Sequence, residues 1–188
     1  MDRNGFVKYY WKHYKFLEKQ FLDTERYVAI EKDNYAVYSN EFLNLFVLIC
    51  NEYDAITAEY CDSIKESAKP LHMVEKNNLL CENIYDFKDL SISTKCKYDS
   101  IKILPFSKYK EDMTYDWWQA YNLVKHERSN IDSDTKKPNY YKANLKNVLI
   151  ALSALYIILN KFYIEKCSLG TVNPDFVLNS DVFNDFQQ

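Results

Sequence analysis

The chain has 188 residues, 47% of them hydrophobic and 27% charged, with a formal net charge of −3. That is the profile of one soluble globular domain, neither disordered nor membranous. Its only glycines, Gly5 and Gly170, lie far apart, so neither the GxGxxG nor the GxxxxGK[ST] phosphate loop can be written, and nucleotide binding through either is excluded.

The N-terminus, MDRNGFVKYYWKHYKF, has no apolar stretch of the kind a secretory signal needs. Phe6, Tyr10, Leu17 and Phe21, with Tyr14 and Val28, keep one helical face and predict a first helix over 6–28. The pattern breaks at Glu31 to Asn34. A second helix follows, with Phe42, Leu45, Phe46, Ile49, Tyr53, Ile56, Tyr60 and Ile64 in steps of three and four; Ser39 or Asn40 caps it and Pro70 ends it.

A short helix is expected around Val74 to Leu80. Leu90, Ile92, Thr94, Cys96 and Tyr98 then alternate with polar residues, which predicts a half-buried strand. Asp99 and Ser100 turn it, and Ile101 to Phe106 return as a second strand with Pro105 at its edge. A lone hairpin is not stable in water, so it is expected to lie against the helices.

Thr114 or Asp116 caps a third helix running to about Arg128, and residues 129–139 read as a polar loop. The fourth helix is expected from about Asn139 to Lys166. Its most apolar run, Val148 to Leu159, is 12 residues, shorter than the roughly 18 needed to span a membrane. Apolar residues cover nearly all of its circumference, which predicts burial on every side and, in a domain this small, a partner subunit over the second face. The tail, about 167–188, carries Phe176, Val177, Leu178, Val182, Phe183 and Phe186 and is expected to pack back. The fold class is therefore mainly α: one domain over 1–188, a bundle of four principal helices with a small β-hairpin inserted at about 89–106.

Five cysteines, Cys50, Cys61, Cys81, Cys96 and Cys167, are odd in number and never spaced CxxC. This argues against a disulfide framework or zinc ribbon and for reduced thiols in the cytoplasm. There is no HxxxH or HExxH pattern around His13 or His72, so no metal and no other cofactor is expected. The chemistry-bearing stretch is WWQAYNLVKHER, Trp117 to Arg128. Asn122 and His126 stand four apart on one helical face, and Tyr121, Lys125 and Arg128 share the neighbouring one. An imidazole suited to proton exchange near neutral pH thus stands beside cations able to hold a phosphoryl charge. A solvated face, or a histidine satisfied by a neighbour, would give the same pattern. Glu52 sits on the margin of the second helix's core face; a carboxylate there is costly unless paired, so it either meets His126 or Arg128 or stands as an exposed border residue, while Asp54 is expected to be solvated.

WWxxYNxxKHxR followed by the helix ANLKNVLIALSAL (Ala143 to Leu155) resembles bacterial members of the HEPN superfamily. These are small helical bundles, often RNases of toxin and phage-defence systems. The segment NYAVYSNEFLNLFVLICNEYDAI (Asn34 to Ile56) is similar to the second helix of such proteins. The resemblance implies metal-independent cleavage, in which a ribose 2′-hydroxyl attacks the adjacent phosphate while His126 moves protons and Asn122 assists. It also implies an active cleft at a homodimer interface, RNA as substrate, and an antitoxin-like protein as a cognate partner. The family's motif Arg falls on Tyr121, which brings no positive charge; Arg128 is the nearby guanidinium. In the RNase reading His126, Asn122 and Arg128 are the expected catalytic residues and Tyr121, Lys125 and Glu52 the expected binding residues; the alternative is a non-catalytic helical module that binds RNA or protein.

Overall fold

The computed structural model describes residues 1–68, 70–95, 100–107, 114–167 and 178–186. The chain is mainly helical with one two-stranded antiparallel sheet among the described residues. The first helix starts earlier than its periodicity suggests, at α1 (Arg3–Phe6), where the Asp2 carboxylate accepts from the Gly5 amide at 2.8 Å and caps the exposed N–H groups. A π-turn, Val7–Trp11, leads into α2 (Lys12–Asp23). Phe6, Trp11, Tyr14, Leu17 and Phe21 are buried. The extra residue in the π-turn rotates the face, so Trp11 points inward and Tyr10 is only partly buried.

Helix α3 (Asn40–Ile64) has the expected face, and Ser39 is its cap, with Oγ accepting from the Phe42 amide at 3.0 Å. It does not run on to Pro70. It stops at Ile64, and Ser67 then takes a left-handed φ of 64°. The short helix is α4 (Met73–Asn83), longer than Val74 to Leu80 and entered through a bond from the His72 amide to Glu75 Oε2 at 2.8 Å.

Among the described residues the hairpin pairs β1 (Ile92–Ser93) with β2 (Lys102–Ile103), Ile92 opposite Ile103, and the Thr94 amide donates to the Ile101 carbonyl at 3.1 Å. Cys96, Tyr98 and Asp99 lie outside the described residues, as do Phe176 and Val177 of the tail. The tail adds to this strand: Thr94 bridges Phe183, the Lys95 amide donates to the Val182 carbonyl at 2.8 Å, and the Asn184 amide to the Ser93 carbonyl at 2.9 Å. The tail packs back as expected, with Leu178, Val182 and Phe183 buried. It is anchored by Glu18 of α2, fully buried, whose Oε1 accepts from the Tyr14 hydroxyl at 2.9 Å, the Asp181 amide at 2.9 Å and the Ser180 hydroxyl. Lys15 pairs with Glu18 and reaches Asp181 at 2.6 Å.

Helix α5 (Asp116–His126) is preceded by Tyr115 at the cap position; neither Thr114 nor Asp116 caps it, and Arg128 lies beyond its end. The loop is compact, with the Asp132 carboxylate accepting from the Thr135 amide at 2.7 Å and from Lys142 Nζ at 2.8 Å. Helix α6 (Leu145–Phe162) begins at Leu145 with Asn144 as its cap, since Asn139–Lys142 forms a separate 3₁₀ turn, and a π-turn over Tyr163–Cys167 closes it. Every residue from Ala151 to Asn160 is buried within the one chain, chiefly against α3. The apolar second face therefore needs no partner subunit. With its π-turn this helix is 23 residues long and apolar enough to cross a membrane, but 72% of its 18-residue apolar stretch is buried inside the fold, as a core helix is.

Candidate functional site

The end of α5 sorts the expected site residues into two groups. Asn122, Lys125, His126 and Arg128 are exposed. Tyr121 is not: it is 3% exposed, packs beside Trp118 and Phe46, and donates its hydroxyl to Asn51 Oδ1 at 2.7 Å. Burial raises its phenol above the ordinary value, against the lowering influence of Lys125. Tyr121 thus stands at the motif Arg position as a packing residue. Lys125 lies over its ring at 5.4 Å from the centroid, a cation–π distance.

Arg128 turns back on its own helix, with Nε donating to the Val124 carbonyl at 3.3 Å. A cation there satisfies an end carbonyl and complements the negative end of the helix dipole. The Tyr140 amide donates to the Arg128 carbonyl and the Asn139 amide to the Asn130 carbonyl, which ties loop 129–139 down at both ends. Lys136 and Lys137 are exposed on this loop, and Lys137 lies over the Tyr141 ring at 5.4 Å.

Glu52 meets neither His126 nor Arg128. Its Oε2 is 2.8 Å from His13 Nδ1 on α2, and its Oε1 is buried without a hydrogen-bond partner. The carboxylate does need a partner, as its place on α3 implies, but the helix facing that margin is α2 rather than α5. Asp54 is not simply solvated either: its Oδ1 accepts from Lys76 Nζ at 2.8 Å. Asp54, Lys76 and His72 line a cleft of about 360 Å³ together with Thr114, Trp118 and Asn122. Asn122 therefore joins the exposed end of α5 to a cavity, whereas His126 and Arg128 lie outside that cavity.

The pairings of His13 with Glu52 and of Asp54 with Lys76 leave no local mark in the sequence, because the partners lie 39 and 22 positions apart, on neighbouring helices. One signal was countable: residues 125–142 hold five Lys and Arg against three Asp and Glu, in a chain of net charge −3. Among the described residues no cluster of three or more His, Cys, Asp or Glu side chains is arranged to hold a metal ion. Compared with family models, with curated proteins and with solved structures, the chain matches none.

Proposed function

We propose that this chain is a helical, HEPN-like RNA-binding module that grips RNA where α5 ends and loop 129–139 begins, and that it does not cut the RNA. The reading rests on one observation: Lys125, His126, Arg128, Lys136 and Lys137 are all exposed at this corner of an otherwise acidic chain. Lys142 already neutralises Asp132, which leaves Glu127 and Asp134 as the local acids. Exposed cations near tyrosine rings (Tyr38 lies 4.1 Å from Tyr141, centroid to centroid) suit phosphates and stacked bases. Two contacts support a module that does not cut. The motif position holds an uncharged Tyr121 whose hydroxyl is engaged by Asn51, and Glu52 pairs with His13 and not with His126. Free thiols at Cys50, Cys61, Cys81 and Cys167 suit a reducing cytoplasm.

The test is fluorescence anisotropy with a labelled single-stranded RNA of about twelve nucleotides. Binding is expected to weaken at least tenfold in Lys125→Glu/Arg128→Glu, with a shallower salt dependence, and the RNA is expected to stay intact. Equal binding by that variant and the wild type removes the reading. Cleavage by wild type that disappears in His126→Ala assigns catalysis instead, a second reading favoured by the Arg128 guanidinium being held two positions after His126.

A further inference from the structure

We propose that the cleft lined by Asp54, His72, Lys76, Thr114, Trp118 and Asn122 receives a guanine base, read edge-on by the Asp54 carboxylate. Its volume of about 360 Å³ falls within the range of small-molecule sites. Lys76 is only 4% exposed, yet its ammonium reaches Asp54 at 2.8 Å. This contact fixes the carboxylate and cancels its charge toward an anionic ligand. Asp54 itself is half-exposed, its side chain 51% accessible, so one oxygen and the remaining lone pairs are open to the cleft.

Two acceptors side by side select two donors side by side. Guanine alone among the four RNA bases presents that pair on its Watson–Crick edge, at N1–H and the exocyclic N2 amine; adenine and cytosine pair a donor with an acceptor, and uracil has one N–H between two carbonyls. Asn122 can donate its amide to the guanine carbonyl beside that pair, and Trp118 supplies an aromatic wall. Unstacked bases of single-stranded RNA are read in this manner. Asn122 also sets the distance: His126 follows it by one turn, about 6 Å along the helix axis, so a base in the cleft leaves its backbone beside the exposed cations. The proposal in this form rests on the RNA-binding reading above.

The experiment varies the ligand first, which removes any question of folding. Wild-type protein is titrated with an oligouridine of eight nucleotides and with versions carrying one central guanosine, inosine or adenosine, and separately, by calorimetry, with guanosine and inosine monophosphates. The guanosine oligomer is expected to bind at least tenfold more tightly than the other three, because inosine lacks only the N2 amine. Asn122→Ala, exposed and outside the core, is expected to weaken guanosine binding, and Asp54→Asn to abolish the preference while oligouridine binding persists. Equal affinity for all four oligomers overturns the base site and leaves RNA binding standing. If no oligomer binds but guanosine monophosphate still exceeds inosine monophosphate, the RNA reading fails and the cleft remains a guanine site. Equal or absent binding of the two monophosphates, with no oligomer bound, overturns both.

Discussion

His13 Nδ1 lies 2.8 Å from Glu52 Oε2 and joins α2 to α3 across 39 residues of sequence. The carboxylate is 12% exposed and the imidazole 40%, while Glu52 Oε1 is buried and unpartnered. His13→Ala leaves both oxygens of a mostly buried carboxylate without a donor, at a cost of about 1–2 kcal/mol given the half-exposed partner. Adding Glu52→Gln to His13→Ala is expected to recover part of this. Urea denaturation of the two variants checks it; a single variant as stable as wild type shows the pair to be decorative.

Ser180→Ala removes a hydroxyl that donates to buried Glu18 and accepts from the Phe183 amide at 2.8 Å. Loss of a hydrogen bond to a buried charge costs about 2 kcal/mol. Amide exchange is expected to speed up first at Val182, Phe183 and Asn184, before any change in α3 or α6. Uniform acceleration across all helices would show that the tail is not a separable unit.

Acid should loosen two places together. The Asp181 carboxyl is held below its usual range by the Lys15 ammonium, and Asp132 by Lys142 and then Thr135. Their folded values lie under the unfolded value of about 3.9. Their contribution is thus complete above about pH 4 and is lost as the pH falls through the folded values. The unfolding midpoint is expected to drop below pH 4, and Asp132→Asn to flatten that slope. Parallel slopes for the variant and wild type would remove Asp132 from the account.

Tyr121→Phe deletes the hydroxyl that meets Asn51 and keeps the ring against Trp118 and Phe46. A loss of about 1 kcal/mol is expected, with RNA affinity unchanged. A fall in affinity without a fall in stability would place Tyr121 in the binding surface and not in the packing.

Leu152→Ala opens a hole in the middle of α6, where neighbouring side chains are fully buried on every side. About 2–5 kcal/mol is expected, read as a lowered denaturation midpoint with unchanged RNA binding at low temperature. Near-wild-type stability would mean that α6 is less closely packed than the buried positions imply.

Periodic elements were legible in the sequence, and long-range partners were not. The steps of three and four from Phe42 to Ile64 give α3 directly, and Ser39 announces its start. The π-turn at Val7–Trp11 leaves no mark, because one extra residue in a turn hardly alters an apolar pattern. The alternation from Leu90 to Tyr98 predicts the pairing with the returning strand, but Thr94 also bridges Phe183 from the far end of the chain, and no local pattern carries that information. At the candidate site, the exposure of His126 and Arg128 agrees with their polar surroundings. Glu52 is recognisable as a residue in need of a partner, but which helix would face it is decided by packing alone.

The clamp on Glu18 also fixes an order of events in synthesis. Ser180 follows Glu18 by 162 positions, so at roughly 5–20 residues per second a ribosome takes on the order of ten seconds or more to deliver it. Throughout that interval the nascent N-terminal helix has only its own Tyr14 and Lys15 to meet the carboxylate, and it lacks the Ser180 hydroxyl and the Asp181 amide that complete the site. Closure around Glu18 thus waits for residues 180 and 181, and in nascent chains stalled before residue 178 protease should cut this helix faster than in chains that carry the tail.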